Sequence, residues 1–287
     1  MNYRHAFHAG NFADVVKHVT LARALAHLKE KPAAFRVIDT HAGAGLYDLA
    51  GPQAARSGEW KSGIGRLLDA PLEAALRALI APYLDAVAAF NPGGRLAAYP
   101  GSPALIRAWL RPQDRLVACE LEPGAAGALA GAMRGDARVK VVAIDGYTAL
   151  NAYVPPKERR GLVLIDPPFE APDEFARLTG ALAGAHRKWP TGVYLVWYPL
   201  KDARATARFA RALSGLAIPR ILRAELTIGE VAASPRATPR LAGTGLIVVN
   251  PPWRLEEELR RLLPVLATVL GEGGRGTFRL DRIADEK

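Results

Sequence analysis

The stretch LVLIDPPFE, residues 162 to 170, ends an apolar run on a carboxylate, Asp166, and follows it with Pro167, Pro168 and the ring of Phe169. Each proline holds φ at about −65° and has no N–H, so this turn presents hydrogen-bond acceptors and has little freedom left to lose. A carboxylate placed there can accept hydrogen bonds from a ligand and take up a proton as a general base. Three further apolar runs end in comparable chemistry. DTHAGAG, Asp39 to Gly45, puts Gly43 and Gly45 where a backbone can come close to a ligand, beside the free N–H groups of a following helix. The next two runs end on Glu120, whose chemistry suits ribose hydroxyls, and on Asp145, beside Gly146, which suits an adenine amino group. Taken singly, each acid reads equally well as a solvated loop charge or a helix cap. Three consecutive runs ending this way point to a nucleoside-binding rim. A dinucleotide fingerprint is incomplete, because Asp48 stands where its third glycine belongs. A second copy of the opening pattern, VVNPPW, ends on Asn250 and Trp253.

Seven short aliphatic runs must position these residues: Val37 to Asp39, Leu116 to Glu120, Val139 to Asp145, Leu162 to Asp166, Val193 to Tyr198, Glu225 to Ile228 and Leu246 to Asn250. Helical patterns separate most of them. Continuous apolar runs alternating with helices predict an α/β fold, a mostly parallel sheet covered on both faces, with ligands bound beyond the carboxyl ends of its strands. The spacing between Gly45 and Leu116 is too long for one crossover, so residues 50–98 are expected to form a small helical insertion after the first strand. Residues 1–49 and 99–287 then make up the main domain, closed by an amphipathic helix over Leu255 to Leu270 and a mobile Gly-rich tail. Of the two Pro-Pro motifs, the first is expected to be the working one, because Asp166 closes the fourth strand, beside the first. Asn250 closes the last strand near the far edge, which makes Trp253 a packing residue at the start of the final helix. Near the N-terminus Asn11 should cap a helix that carries Asp14 and His18 on one face and buries Val15, Val16 and Val19.

Composition narrows the class. Half of the 287 residues are hydrophobic and 23% are charged, a globular balance without any membrane-length apolar run. The N-terminus lacks the apolar stretch of a signal peptide, so a cytoplasmic protein is expected. A single cysteine, Cys119, excludes an internal disulfide and a cysteine-cluster metal site, and His5 and His8 lack a third ligand at a fixed offset, so no metal is expected. The net charge of +10 favours a polyanionic partner. Arg56, Lys61 and Arg66 make the insertion the first choice for a phosphate-contacting surface. The HRK cluster at 186–188 is a further candidate, and KERR at 157–160 is discounted because it precedes the fourth strand.

The ordered series of a glycine turn, Glu, Asp and Asp-Pro-Pro-Phe resembles S-adenosylmethionine-dependent methyltransferases acting on exocyclic amines. More specifically, YRHAFHAGNFADVVKH, DTHAGAG, YPGSP, LIDPPFE and VNPPW are similar to the RlmJ family of 23S ribosomal RNA adenine-N6 methyltransferases, from Tyr3 to about Leu266. The resemblance implies a Rossmann-like class I methyltransferase fold with a helical insertion. It implies S-adenosyl-L-methionine as cofactor and 23S ribosomal RNA as partner, with no obligate protein partner evident. It places His18, His41, Ser102, Glu120, Asp145, Gly146 and Asp166 at the cofactor and Tyr3 near the substrate; chemistry assigns the Gly43/Gly45 turn to the cofactor's methionine end and Phe169 to the substrate. Adenine N6 is a poor nucleophile because its lone pair is delocalised into the ring. If Asp166 and the Pro167 carbonyl each accept one N6–H, the nitrogen is held and Asp166 can receive the proton, while Phe169 stacks on a base swung out of its helix or loop. The same motif also serves DNA adenine or cytosine and protein glutamine methylation. A non-catalytic RNA-binding protein on this scaffold is the remaining alternative.

Overall fold

The computed structural model describes residues 5–229 and 241–285. Its strands are β1 (Arg36–Asp39), β2 (Leu46–Asp48), β3 (Ala98–Pro100), β4 (Arg115–Glu120), β5 (Val139–Ala143), β6 (Gly161–Ile165), β7 (Val193–Pro199), β8 (Ile221–Thr227), β9 (Gly243–Val249) and β10 (Thr277–Ala284). Eight of them form one sheet in the order β10-β8-β9-β7-β6-β1-β4-β5, parallel from β7 to β5 and antiparallel through β9, β8 and β10. All seven expected runs are strands. Burial explains the central parallel strands: every residue of β6 is buried, as a strand covered on both faces requires, whereas the edge strand β5 is partly exposed.

Strand β10 makes the main sheet one strand larger than expected. The Gly-rich tail does not hang free. Gly271 and Gly276 bring the chain against the last turn of the final helix so closely that a Cβ on Gly276 would sit 2.1 Å from the Ala267 carbonyl. The chain then pairs with β8 along Thr277 to Ala284. An edge strand with mostly exposed side chains lacks the continuous apolar run that marks a central strand, so only its pairing reveals it.

Helix α1 (Phe12–Lys29) starts at Asn11, whose side chain accepts from the Ala13 and Asp14 amides. The helix is buried nearly all round, because the sheet lies on one side and the insertion on the other. Its polar residues Asp14, Lys17 and His18 are therefore forced to find partners inside the protein. The insertion comprises the short helices α2 (Pro52–Ser57) and α3 (Arg66–Asp69), joined by a wide turn over Lys61–Gly65, and then α4 (Ala74–Ala89). It is rooted in an antiparallel ribbon of β2 and β3. It shares one continuous hydrophobic core with the main domain through residues such as Ile64, Tyr83 and Val87. At Gly63 the turn meets the start of α1 so tightly that a Cβ would lie 2.1 Å from the Gly10 carbonyl.

The remaining helices are α5 (Ser102–Trp109), α6 (Pro123–Ala132), α7 (Gly146–Tyr153), α8 (Glu174–Lys188), α9 (Ala203–Ser214) and α10 (Leu255–Leu270). The second motif needs two corrections. Strand β9 lies inside the sheet and runs antiparallel, with Val249 opposite Tyr194 at the start of β7, so Asn250 sits at the rim opposite Asp166. Trp253 is 72% exposed with the Arg254 guanidinium 4.2 Å from its ring centroid, so it does not pack into the core. The residue that enters the core at this turn is the fully buried Leu255, while the indole pairs with the Arg254 guanidinium outside.

Candidate functional site

The carboxyl ends of β1, β4 and β6 open onto a cavity of about 550 Å³. This is within the size range of sites for cofactor-sized ligands. Beyond β1 the chain turns through Gly43 and Gly45, both at positive φ. The Gly43 amide donates to the Glu120 carboxylate at 2.8 Å, and a Cβ on Gly43 would lie 2.2 Å from the Tyr47 hydroxyl, so only glycine fits. The other Glu120 oxygen accepts from the Glu122 amide at 2.8 Å. Two backbone N–H bonds thus fix that carboxylate at the cavity edge and leave it lone pairs for a ligand.

Of the residues assigned from sequence, His18, His41, Gly43 and Ser102 line this cavity together with Glu120, Asp166 and Pro167. Gly45 stands just behind it, against Leu129. Asp145 is placed as the cap of α7, its Oδ2 accepting from the Thr148 amide and hydroxyl at 2.8 and 2.9 Å, and it is not part of the lining. Gly146 supports the site from beneath, since a Cβ there would meet the His41 ring at 2.5 Å. Tyr3 lies outside the described residues.

Burial sets the protonation states here. It pushes the His18 imidazole down to about 3 and that of His41 down to about 4, so both rings are neutral near pH 7. The same effect lifts the Asp39 carboxyl to about 7, although the Ser102 hydroxyl donates to its Oδ2 at 2.7 Å and opposes the rise. Two polar atoms of the site have no partner among the described residues: Asp39 Oδ1 and His18 Nε2. His18 Nδ1 lies 2.7 Å from the Tyr99 hydroxyl.

A second cavity, about 230 Å³, adjoins the first and shares His5, Lys17, Asp166 and Pro168 with it. Asp166 therefore stands in a partition between two spaces. Phe169 lines the second cavity, its ring edge-on to Phe175 and Trp197 with centroids 4.9 and 5.7 Å away. Its backbone is left-handed, at φ +51°, which costs a non-glycine residue about 1–3 kcal/mol and aims the ring off the line of the strand.

The sequence reading missed Lys17. Its Nζ lies 2.5 Å from Asp166 Oδ2 and 2.8 Å from Asp14 Oδ1, with 5% of the side chain exposed. Burial works against its charge, but Asp14 and Asp166 together outweigh that and raise its pKa, so it is an ammonium group at neutral pH. Asp14 is likewise pushed up by burial, yet Lys17 and His5 hold it well below the usual carboxylate range. His5 Nε2 is 3.0 Å from Asp14, and His8 pairs with Glu59 of the insertion at 3.0 Å. The available signal was a lysine one turn after Asp14, directly following the valines of the buried face. Among the described residues no cluster of His, Cys, Asp or Glu is arranged to hold a metal ion.

The basic residues divide by position. Arg66 donates to the Leu270 and Gly271 carbonyls at 3.2 and 3.0 Å, so it caps α10 and its head group is engaged in the scaffold. Arg56 is exposed, and the Lys61 ammonium sits 5.8 Å from the Trp60 ring centroid. The KERR segment precedes the amino end of β6, at the rim away from the site, where Glu158 pairs with Arg36 at 2.8 Å. HRK lies at the same rim, because α8 ends just before β7 begins and Lys188 bonds Asn151 there.

Comparison with known proteins identifies relatives of the whole chain. A protein 38% identical over 292 residues, covering all of both chains, is Ribosomal RNA large subunit methyltransferase J of Escherichia coli (strain K12). The protein of the same description from Haemophilus influenzae is 38% identical over 288 residues, again covering both chains in full. A crystal structure of a Legionella pneumophila protein superposes with a TM-score of 0.85 at 34% identity, covering 96% of this chain and 98% of the other. The family described as ribosomal RNA large subunit methyltransferase D, RlmJ, matches residues 32–284, and with full-length relatives at this identity the chain belongs to that family.

Proposed function

We propose that this protein transfers a methyl group from S-adenosyl-L-methionine to N6 of an adenine in 23S ribosomal RNA. The observation that carries the reading is the position of Asp166 in the partition between a large cavity at the strand ends and a smaller one lined by an aromatic ring. The large cavity suits the donor. It has a glycine turn that no side chain could replace at Gly43, a carboxylate at Glu120 for ribose hydroxyls, and unpartnered polar atoms on His18 and Asp39 at or beside it. Asp145 uses only Oδ2 in capping, which leaves Oδ1 to accept from an adenine amine. When bound, the donor supplies an electrophilic methyl group on a sulfonium centre.

The chain's own residues do the rest. Lys17 grips Asp166 Oδ2 and fixes the carboxylate plane, leaving Oδ1 for one N6–H of the acceptor base. The Pro167 carbonyl takes the other N6–H, so the amine is oriented and Asp166 can receive the proton released as the C–N bond forms. Phe169 offers a face to the extruded base, and stacking of this kind is worth about 1–3 kcal/mol against an unstacking cost of similar size. No covalent enzyme intermediate is required. Tyr3 is included as a substrate residue on the family resemblance. The rRNA substrate fits the net charge of +10 and implies a protein that works in the cytoplasm.

Incubation with radiolabelled S-adenosylmethionine, separation of ribosomal RNA, DNA and protein, and digestion of the labelled pool tests the reading. Label in N6-methyladenosine of 23S RNA is expected. Label in DNA or in protein glutamine, or no transfer at all, would replace it with one of the other amine substrates or with a pure binding role.

A further inference from the structure

The second Pro-Pro motif takes no part in the chemistry at Asp166. Its Asn250 is a scaffold residue: the side-chain amide donates to the Pro190 and Gly192 carbonyls at 2.7 and 2.8 Å and ties the end of β9 to the loop that enters β7. Pro251 and Pro252 then carry the chain out to Trp253, which is 72% exposed. The Arg254 guanidinium lies 4.2 Å from the ring centroid, and with so much of the residue in solvent the indole keeps a surface to offer. Beside it is a hollow of about 210 Å³ whose lining includes Arg220, Arg282 and one acid, Glu256. That acid is already neutralised, with Oε1 2.9 Å from Arg260 and Oε2 2.7 Å from Arg282.

Charge is sorted between the two rims of the sheet. The loops entering the five parallel strands, 30–35, 110–114, 133–138, 154–160 and 189–192, hold seven Lys and Arg against four Asp and Glu, and the helix ends before them add Lys29, Arg187 and Lys188. The loops leaving those strands, 40–45, 121–122, 144–145, 166–173 and 200–202, hold one against six. Register puts the turn of Trp253 and Arg254 on the basic rim, since Val249 is level with Tyr194 and with Ile221. Arg254 Nη1 is 3.9 Å from Glu30 there, beside the exposed Lys29 and Lys31. Part of this asymmetry belongs to the fold, because acids favour helix starts and cations favour helix ends. A helix end gives no reason for an indole held in water among the cations. An RNA strand does: its bases stack on aromatic rings and its phosphates bind guanidinium and ammonium groups.

We propose that this basic rim is a second RNA-contacting surface, where Trp253 stacks on an unpaired base and Arg254 and the neighbouring cations meet the phosphates around it. This rests on the reading of 23S ribosomal RNA as substrate. The strand that ends in Asp166 has five residues, so at about 3.3 Å a residue its two rims stand roughly 16 Å apart. The basic rim therefore holds RNA remote from the methylated adenine, and it acts on substrate affinity and leaves the chemical step alone.

Filter binding of unmethylated 23S rRNA over a salt series tests the surface, together with methyl-transfer kinetics on the full-length rRNA and on the shortest fragment of it that is still methylated. Trp253→Ala should weaken full-length rRNA about tenfold, the size of one lost base stack, while Trp253→Phe stays within about threefold of the parent. Arg254→Gln combined with Arg187→Gln should flatten the slope of log affinity against log salt by about one to two, and Arg208→Gln on α9 should leave it unchanged. In the kinetics the Trp253→Ala variant should show a raised KM for full-length rRNA with the parent's kcat, and neither change for the shortest fragment. Parent-like affinity and salt slope in these variants would overturn the proposal and leave the methyl-transfer reading standing. Losses of equal size for the shortest fragment would place the effect at the active site and overturn it too. A loss confined to large-subunit ribosomal particles, with naked rRNA bound as by the parent, would assign the rim to a protein partner instead. If the parent itself binds no 23S rRNA, the substrate reading falls and the proposal falls with it.

Discussion

Replacing Lys17 with methionine removes a buried cation from between two carboxylates and keeps most of the side-chain volume. Asp14 has 2% of its side chain exposed and Asp166 has 15%, so water cannot take over the lost interaction at Asp14 and does so only partly at Asp166. Breaking a buried pair by deleting one partner typically costs about 3–5 kcal/mol, and the closeness of two carboxylates to one ammonium places this case within that range at pH 7. The loss should depend on pH in a direction that identifies Asp14. In the parent protein its folded-state pKa is depressed, so it contributes stability above its unfolded pKa of about 4, which is lost as pH falls through the folded value. In the variant the depression weakens, because burial is then opposed by His5 without the lysine, and the stability that ionised Asp14 contributes above its unfolded pKa shrinks with it. Urea denaturation should therefore show a deficit that is largest near pH 7 and shrinks toward about pH 4.5. Lys17→Arg, which keeps the charge, should recover part of it. A deficit below about 1 kcal/mol that does not change with pH would refute the claim that Lys17 is a charge clamp, because that is the range of a screened surface pair.

Asp166→Ala should abolish methyl transfer while leaving S-adenosylmethionine affinity largely intact, as measured by single-turnover assays beside calorimetry; retained turnover would remove Asp166 from the assigned role. Asp39, with its carboxyl lifted to about 7, contributes stability that is fully present below its unfolded pKa and is lost as pH rises through about 7. Thermal melts should accordingly show Asp39→Asn with a flatter stability profile between about pH 5 and 8 than the parent. Arg66→Ala should destabilise the protein by about 1–3 kcal/mol through the lost cap on two carbonyls, and leave RNA affinity in filter binding unchanged at matched salt.

The parallel half of the sheet was legible because a strand buried on both faces has to be apolar throughout, and β6 shows this in every residue. The rim chemistry was legible for a related reason. Backbone that turns at a strand end must be glycine where φ is positive and a Cβ has no room, and Gly43 is such a position. Asp145 illustrates the limit. Cap and ligand are the same residue type at the same place, and only the Thr148 bonds reveal that it caps.

By itself, the sequence determined the α/β class and the family resemblance, because these depend on local periodicity and on residue types with few substitutes. Tertiary structure alone decided that Lys17 reaches Asp166, 149 positions away, that Arg66 belongs to the scaffold, that β10 completes the sheet and that the second Pro-Pro motif lies at the opposite rim. Each of these depends on which distant segments meet, and on whether water is excluded where they do. Neither quantity is carried by the spacing of residues along a chain.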